Sequence, residues 1–170
     1  MSIKQFNGEW VAQEDRILFR FNTTEGQEYR LWLTRHIVKN LIVGSQSLAV
    51  KAIEKQHPPE VAQAIQAFQQ QSVSQQLNFA ATFEGQTELP MGEAPALVTG
   101  LRITMQSPEV VIDFETTIGQ VLHLQINDEL LKAMIGLLER LQGLAQWQLG
   151  ATAGEPPVTS ATGPSSTLMH

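Results

Sequence analysis

Residues 28–42 read EYRLWLTRHIVKNLI and contain the change from strand to helix around which the chain is organised. Up to Leu33 the apolar residues alternate, which is the period of a β-strand with one buried face. Beyond Thr34 they recur at the three- and four-residue spacing of an amphipathic helix. Because the Thr34 hydroxyl is able to accept a first-turn N–H, we expect the helix to begin directly after it.

The strand in this stretch predicts a hairpin with the residues before it. Segment 16–21, RILFRF, also alternates, and the intervening NTTEGQE has the composition of a turn. A slip of one residue would expose one of the two apolar sets, so the register that places both on the same face is preferred. The resulting pairs are Phe21 with Tyr29, Phe19 with Leu31, and Ile17 with Leu33.

Two helices are expected after the joint, forming an antiparallel pair. The first continues to about residue 53. Pro58 and Pro59 end it and start the second, because proline is tolerated in a first helical turn. The apolar stripe of the second helix consists of Val61, Ala64, Ile65 and Phe68.

The second half of the chain predicts three more strands and a final helix. Glycine and proline punctuate residues 78–100, which indicates a long loop. Strands are expected over 101–106, 110–115 and 121–126. The final helix is expected to start at an Asn127 cap and to run to about Trp147, with an apolar stripe wider than one buried face requires.

Together these elements predict an α+β fold, in which antiparallel β-hairpins pack against about three α-helices in the order β-β-α-α-β-β-β-α. Residues 9–11 favour a further short strand, which this order leaves out. The length of 170 residues suits one domain with its own core, expected over residues 1–148. Residues 149–170 are small, rich in Pro, Gly, Ser and Thr, and nearly uncharged, so they predict a disordered tail.

The composition restricts the classes of function. A net charge of −6 and a pI near 5.2 argue against a nucleic-acid binder. The chain has no cysteine, which excludes thiol catalysis and thiolate metal sites. No stretch reads as a signal peptide or a membrane span, so we expect a cytoplasmic protein without membrane contact. Charged residues make up only 16%, and weak charge repulsion favours self-association.

Familiar catalytic motifs are missing from the sequence, which contains no phosphate-binding glycine loop, GxSxG or HExxH. The four histidines, His36, His57, His123 and His170, fall in four different segments without the spacing of metal ligands. We therefore expect neither a metal nor a cofactor, and the missing motifs lean against an enzyme.

The first candidate site is the strand–helix joint. The hairpin register sets Arg20 opposite Arg30, and like charges directly opposite each other destabilise a hairpin. Arg35 and His36 lie in the first turn of the helix, where cations oppose the helix dipole. An acidic partner segment or a small anion would relieve both conflicts. The alternative is that Arg35 and Lys39 pair within the chain, with carboxylates such as Glu28, Glu88 or Glu93, and that the opposed arginines extend into solvent. The candidate residues are Arg20, Arg30, Trp32, Thr34, Arg35 and His36.

The second candidate lies on the last three strands. Aligning their apolar faces places Arg102 beside Asp113 and Asp113 beside His123, on the opposite face. One interpretation is a cross-strand ionic ladder on a wetted face. The other is a histidine that Asp113 orients to act as a general base.

Three segments, EYRLWLTRHIVKNLI, LPMGEAPALVTGLRI and LHLQINDELLKAMIGLLERL, together resemble a family of small uncharacterised bacterial proteins. The resemblance covers most of the chain outside the tail. In that family the joint often reads Trp-Leu-Thr-Arg-Arg, whereas here His36 stands in place of the second arginine. The resemblance implies a bacterial cytosolic setting and no particular activity.

The function expected from these patterns is a non-enzymatic interaction or assembly module that forms homo-oligomers. The expected contact surface is helix 127–147 or the outward face of Trp32, because aromatic residues beside arginine are enriched at interfaces. The alternatives are a small-anion or nucleotide-binding domain at the joint, and a hydrolase built on Asp113 and His123.

Overall fold

The computed structural model describes residues 2–54, 58–76, 82–106 and 108–148. Six strands and three helices in these ranges confirm the predicted α+β class. The strands are β1 (Ile3–Val11), β2 (Arg16–Thr23), β3 (Glu28–Thr34), β4 (Ala96–Gln106), β5 (Glu109–Thr116) and β6 (Val121–Ile126). The helices are α1 (Arg35–Glu54), α2 (Pro59–Gln76) and α3 (Asp128–Leu144). The predicted tail, 149–170, lies outside the described residues.

All six strands form one sheet in the order β1-β2-β3-β4-β5-β6. Neighbouring strands are antiparallel except β3 and β4, which run parallel where Leu31 and Trp32 pair with Ala96 and Leu97. A parallel pair needs a long crossover, and α1 with α2 supply it. Helix α1 packs on β3 and β4, and α3 packs on β1 and β5. We call the opposite face of the sheet the outer face.

The predicted strand registers are confirmed. In the first hairpin Ile17, Phe19 and Phe21 pair with Leu33, Leu31 and Tyr29, and all six side chains are buried. In the second half, Ile112 pairs with Ile103 on one side and with Leu124 on the other. Burial of one apolar face fixes each register, because a one-residue slip would turn that face into water.

Strand β1 is much longer than the short strand favoured at residues 9–11. The sequence hides it because its helix-facing positions are Phe6, Gly8 and Trp10, so its apolar alternation is interrupted. Gly8 lies where a Cβ atom would come within 2.5 Å of Leu141 Cδ1. Close packing of α3 on this strand therefore favours glycine at a position where alternation would place an apolar side chain.

Strand β4 begins at Ala96, inside the segment expected to be a loop. Its first residues pair with β3, and an irregularity between Val98 and Gly100 then shifts the register with β5. The shift breaks the two-residue alternation on which the strand prediction depended.

Helix α2 turns its apolar stripe outward. Val61 is 45% exposed and Phe68 is 74% exposed, whereas Ala62 is fully buried. A small residue such as Ala62 lets the helix approach its neighbours closely, and the larger apolar residues are left on the solvent side.

An aromatic cluster forms the core beneath the first three strands. The ring of Phe21 lies 4.9 Å from that of Tyr29 and 6.2 Å from that of Phe19, measured between centroids. Phe6 of β1 joins the cluster, with its centroid 5.7 Å from that of Phe19. Strand β1 is thus fastened to the sheet by an aromatic contact as well as by its pairing with β2.

Candidate functional site

The strand–helix joint is built as the sequence predicts. Helix α1 starts directly after Thr34, whose hydroxyl accepts a hydrogen bond from the Ile37 N–H at 3.4 Å. His36 is exposed on the first turn, with its ring 3.0 Å from the Asn40 side-chain amide. The Thr34 cap satisfies one of the free N–H groups that would otherwise be available to an anion.

A carboxylate of the same strand lies beside Arg30. The Arg30 Nε donates to Glu28 Oε1 at 2.7 Å, and its Nη1 donates to the Glu93 carbonyl at 3.1 Å. Glu28 is 1% exposed, and its second oxygen accepts the Gln86 N–H at 2.8 Å. For Arg30, pairing within the chain is therefore what the structure shows.

The surroundings of Glu28 keep it ionised. Burial alone would raise its pKa, because removal from water penalises the charged form. The hydrogen bonds from Arg30 and from the Gln86 N–H, together with the charges of Arg30 and Arg20, outweigh burial and hold the pKa below its ordinary value of 4.5. The charges of both opposed arginines, Arg20 and Arg30, thus stabilise the ionised form of Glu28.

Segment 82–86 lies across the outer face and supplies part of this environment. The Asn22 side-chain amide donates a hydrogen bond to the backbone carbonyl of Glu84, with a distance of 2.7 Å between Nδ2 and the oxygen. The Glu84 N–H donates to Gln5 Oε1 at 3.2 Å. The long segment before β4 therefore closes one end of the outer face over β1, β2 and β3.

Arg20 lies directly opposite Arg30, as predicted, but its contacts are different. Its Nη2 and Nε both donate to Asn7 Oδ1, at 2.7 and 3.2 Å. Its guanidinium carbon lies 4.8 Å from the centroid of the Phe83 ring, which is cation–π geometry. Within the described ranges Arg20 makes no ion pair with a carboxylate, since Glu28 is hydrogen-bonded to Arg30.

Arg35 is held at the far end of the joint by a second internal anion. Its Nη2 lies 2.9 Å from Asp15 Oδ2, and its guanidinium stacks 5.5 Å from the Trp147 ring centroid. The Trp147 indole N–H donates to the other Asp15 oxygen at 2.6 Å, and this bond is the main cause that lowers the pKa of Asp15. These three residues fasten the β1–β2 turn to the end of α3.

Trp32 points to the outer face, away from the helices. It pairs with Leu18 of β2 and Leu97 of β4, and all three side chains are half-buried. The predicted orientation is therefore confirmed. Trp32 is one member of a short apolar row on that face.

The predicted row of Arg102, Asp113 and His123 is also found on the last three strands. Arg102 pairs with Asp113, and Asp113 pairs with His123. His123 Nδ1 lies 2.7 Å from Asp113 Oδ1, and the histidine side chain is 70% exposed. Arg102 makes no ion pair among the residues that the structure describes. The depression at His123 is lined by Glu109, Val111 and Gln125, and not by Asp113 or Arg102. This geometry fits a cross-strand ladder on an open face.

One apolar feature was anticipated from the sequence only in its helix wall, as the expected contact surface of helix 127–147. It is a groove of about 540 Å³ between β1 and α3, hereafter the β1–α3 groove. Phe6 and Trp10 line it from the strand, and both are half-buried. Leu141 and Leu144 line it from the helix, and Leu144 is 60% exposed. The wide apolar stripe of the final helix was the sequence signal for one wall, and the other wall belongs to the unrecognised part of β1.

Strand β1 is also an edge of the sheet. In the described part of the chain it pairs only with β2, so its other side presents unpaired backbone groups. The opposite edge, β6, is different because its helix-facing residues Leu122, Leu124 and Ile126 are all buried. An edge strand with uncovered apolar side chains is therefore found at β1.

No family model, curated protein or solved structure matches this chain. The resemblance of the joint to a bacterial family therefore stays a prediction. In the described ranges no helix combines the length and apolarity needed to cross a membrane. Those same ranges contain no group of three or more His, Cys, Asp or Glu side chains placed to hold a metal ion.

Proposed function

We propose that the chain is a non-enzymatic assembly module that forms a homodimer through the β1–α3 groove. The observation that carries this proposal is the groove itself, where an apolar helix face and an unpaired edge strand lie side by side. Exposed apolar patches beside open strand edges are typical of interaction surfaces. The low charge content of the chain adds little repulsion between copies.

A second copy is the occupant we propose, because apolar side chains line both walls of the groove and like walls can pack against each other. A twofold axis beside β1 would bring two grooves together and pack the α3 face of one copy against that of the other. Leu144, which is 60% exposed, would then be covered by the same residue of the second copy, whereas Leu137 and Leu141 are already buried within each chain. Isologous contacts of this kind are the commonest way in which soluble chains form dimers.

The two alternative functions have less support. A small anion at the joint would compete with internal carboxylates, because Arg30 is paired with Glu28 and Arg35 with Asp15. A hydrolase would need a substrate pocket shared by Asp113 and His123. Their side chains instead lie on an open strand face.

The substitution Leu144→Lys tests the proposed dimer. Leu144 is 60% exposed in a single copy, so a lysine there is tolerated in the monomer, and a cation near a helix C-terminus is favourable. In the dimer it would place two buried charges in an apolar contact. We expect the dimer Kd, measured by sedimentation equilibrium, to rise by about 30-fold or more.

The matched control is Ile118→Lys, because Ile118 is 49% exposed and does not line the groove. This variant is expected to keep the Kd of the unmodified chain. Equal dissociation constants for Leu144→Lys and the unmodified chain would contradict the proposal.

A further inference from the structure

We infer that the two copies join through β1 itself, in an antiparallel pair centred on Gly8, with Glu9 of each copy facing Arg20 of the other. This inference rests on the proposed homodimer and adds its register and its polar contact. The result would be a continuous twelve-stranded sheet, with the helices of both copies on one face.

The geometry of β1 selects the register. A twofold axis that pairs a strand antiparallel with its own copy places one residue opposite itself. The pairing of β1 with β2 is irregular between Ile3 and Gln5, and regular from Gln5 to Val11. The middle residue of this regular part is Gly8. A pair centred there uses all seven regular residues and leaves the bulged end outside the contact.

This register places compatible side chains opposite each other on the helix side of the sheet. Phe6 of each copy lies opposite Trp10 of the other, and both residues are half-buried in the groove of the isolated chain. Aromatic cross-strand pairs stabilise antiparallel sheets. The two aromatic pairs would flank the central glycines and fill the strand side of the joined grooves.

On the outer face the register brings together opposite charges. Asn7 lies opposite Glu9 of the second copy, and Asn7 is the residue to which Arg20 donates two hydrogen bonds. Arg20 lies on β2, directly beside Asn7 of β1. The Arg20 guanidinium and the Glu9 carboxylate of the second copy would therefore be close enough to meet across Asn7, because both side chains are long. In the described ranges neither Glu9 nor Arg20 makes an ion pair within its own chain. Glu28 pairs with Arg30 within the chain, and the second copy would thus supply a carboxylate for Arg20.

Cysteine cross-linking tests the register, because the natural chain has no cysteine. The full-length Asn7→Cys chain, labelled with ¹⁵N, is mixed with the unlabelled Glu9→Cys chain and oxidised. Residues directly opposite each other in a sheet have Cβ atoms about 4.5–5.5 Å apart, so a small shift of the strands brings two cysteines to the separation of about 4 Å that a disulfide needs. We expect mass spectrometry to find the mixed disulfide, between position 7 of one chain and position 9 of the other, several-fold more abundant than the disulfide between two copies of the same variant. A predominant Asn7–Asn7 product would instead show a pair centred on Asn7 and would overturn the register.

Charge reversal tests the polar contact. The substitution Glu9→Arg is expected to raise the dimer Kd about tenfold or more, and the double variant Glu9→Arg with Arg20→Glu should recover most of that loss. Glu115→Arg, which makes the same change of charge at an exposed site on β5, should leave the Kd unchanged. A dimer that persists without the mixed disulfide and without sensitivity at Glu9 would overturn this inference while leaving the proposed function in place. A chain that sediments as a monomer in every sample would overturn both.

Discussion

Replacing Glu28 with alanine is expected to lower the free energy of unfolding by about 3 kcal/mol, at the lower end of what is lost when one partner of a buried ion pair is removed. Glu28 is almost completely buried, and its two oxygens accept hydrogen bonds from Arg30 and from the Gln86 backbone. Without the carboxylate, Arg30 would face Arg20 with no anion between them. Arg30 is 30% exposed, so water would compensate for part of the loss.

The pH dependence of stability gives an independent check on the same residue. The pKa of Glu28 is lower in the folded chain than its ordinary value of 4.5, so its ionisation stabilises the fold above that value. This stabilisation is lost as the pH falls from 4.5 through the folded pKa. Denaturant unfolding at several pH values should therefore show a shallower acid loss for Glu28→Gln than for the unmodified chain. Parallel acid profiles would contradict the account of Glu28.

The control for Glu28→Ala is Glu84→Ala. Glu84 pairs with Lys4, but both side chains are well exposed. Surface pairs of this kind contribute little to stability, so the melting temperature is expected to stay nearly unchanged. If both variants melted at the temperature of the unmodified chain, Glu28 would not be the anion that stabilises the joint.

Replacing Phe21 with alanine is expected to cost about 4 kcal/mol of unfolding free energy, which is typical for removing a buried aromatic ring. Phe21 is completely buried, and its ring contacts Tyr29, Phe19 and Phe6. The cavity would lie under the contact that fastens β1 to the rest of the sheet. Because β1 forms one wall of the groove, the same substitution should also weaken the proposed dimer.

Phe68→Ala is the matched control, since it makes the same chemical change at a side chain that is 74% exposed. Its unfolding free energy in urea is expected to stay within about 0.5 kcal/mol of that of the unmodified chain. A small loss for Phe21→Ala, comparable to the control, would show that the aromatic cluster does not stabilise the first three strands.

Much of the fold follows from local patterns, because one buried face fixes both the period and the register of each strand. The alternation of Phe19 and Phe21 against Leu31 and Tyr29 was sufficient to predict that Arg20 lies opposite Arg30. The Thr34 cap was predicted because Thr34 lies between a stretch with the two-residue alternation of a strand and a stretch with the spacing of a helix. What failed was β1, where Gly8 replaces an apolar residue because Leu141 occupies the space of a side chain.

The candidate sites show the same division between local and distant contacts. Glu28 was expected as a partner of Arg35 or Lys39, whereas the structure pairs it with Arg30, two residues further along the same strand. Asp15 was not predicted as the partner of Arg35, because a turn and a whole hairpin separate them in the chain. The lining residues of the two walls of the β1–α3 groove are at least 120 positions apart in the chain, and no local pattern places them together.

Sedimentation equilibrium of the unmodified chain at high micromolar concentration tests most directly whether the chain assembles as a homodimer. The proposed assembly predicts a mass twice the 18.8 kDa of one chain, with a single dimer species across the concentration series. A mass of one chain at every concentration would contradict it.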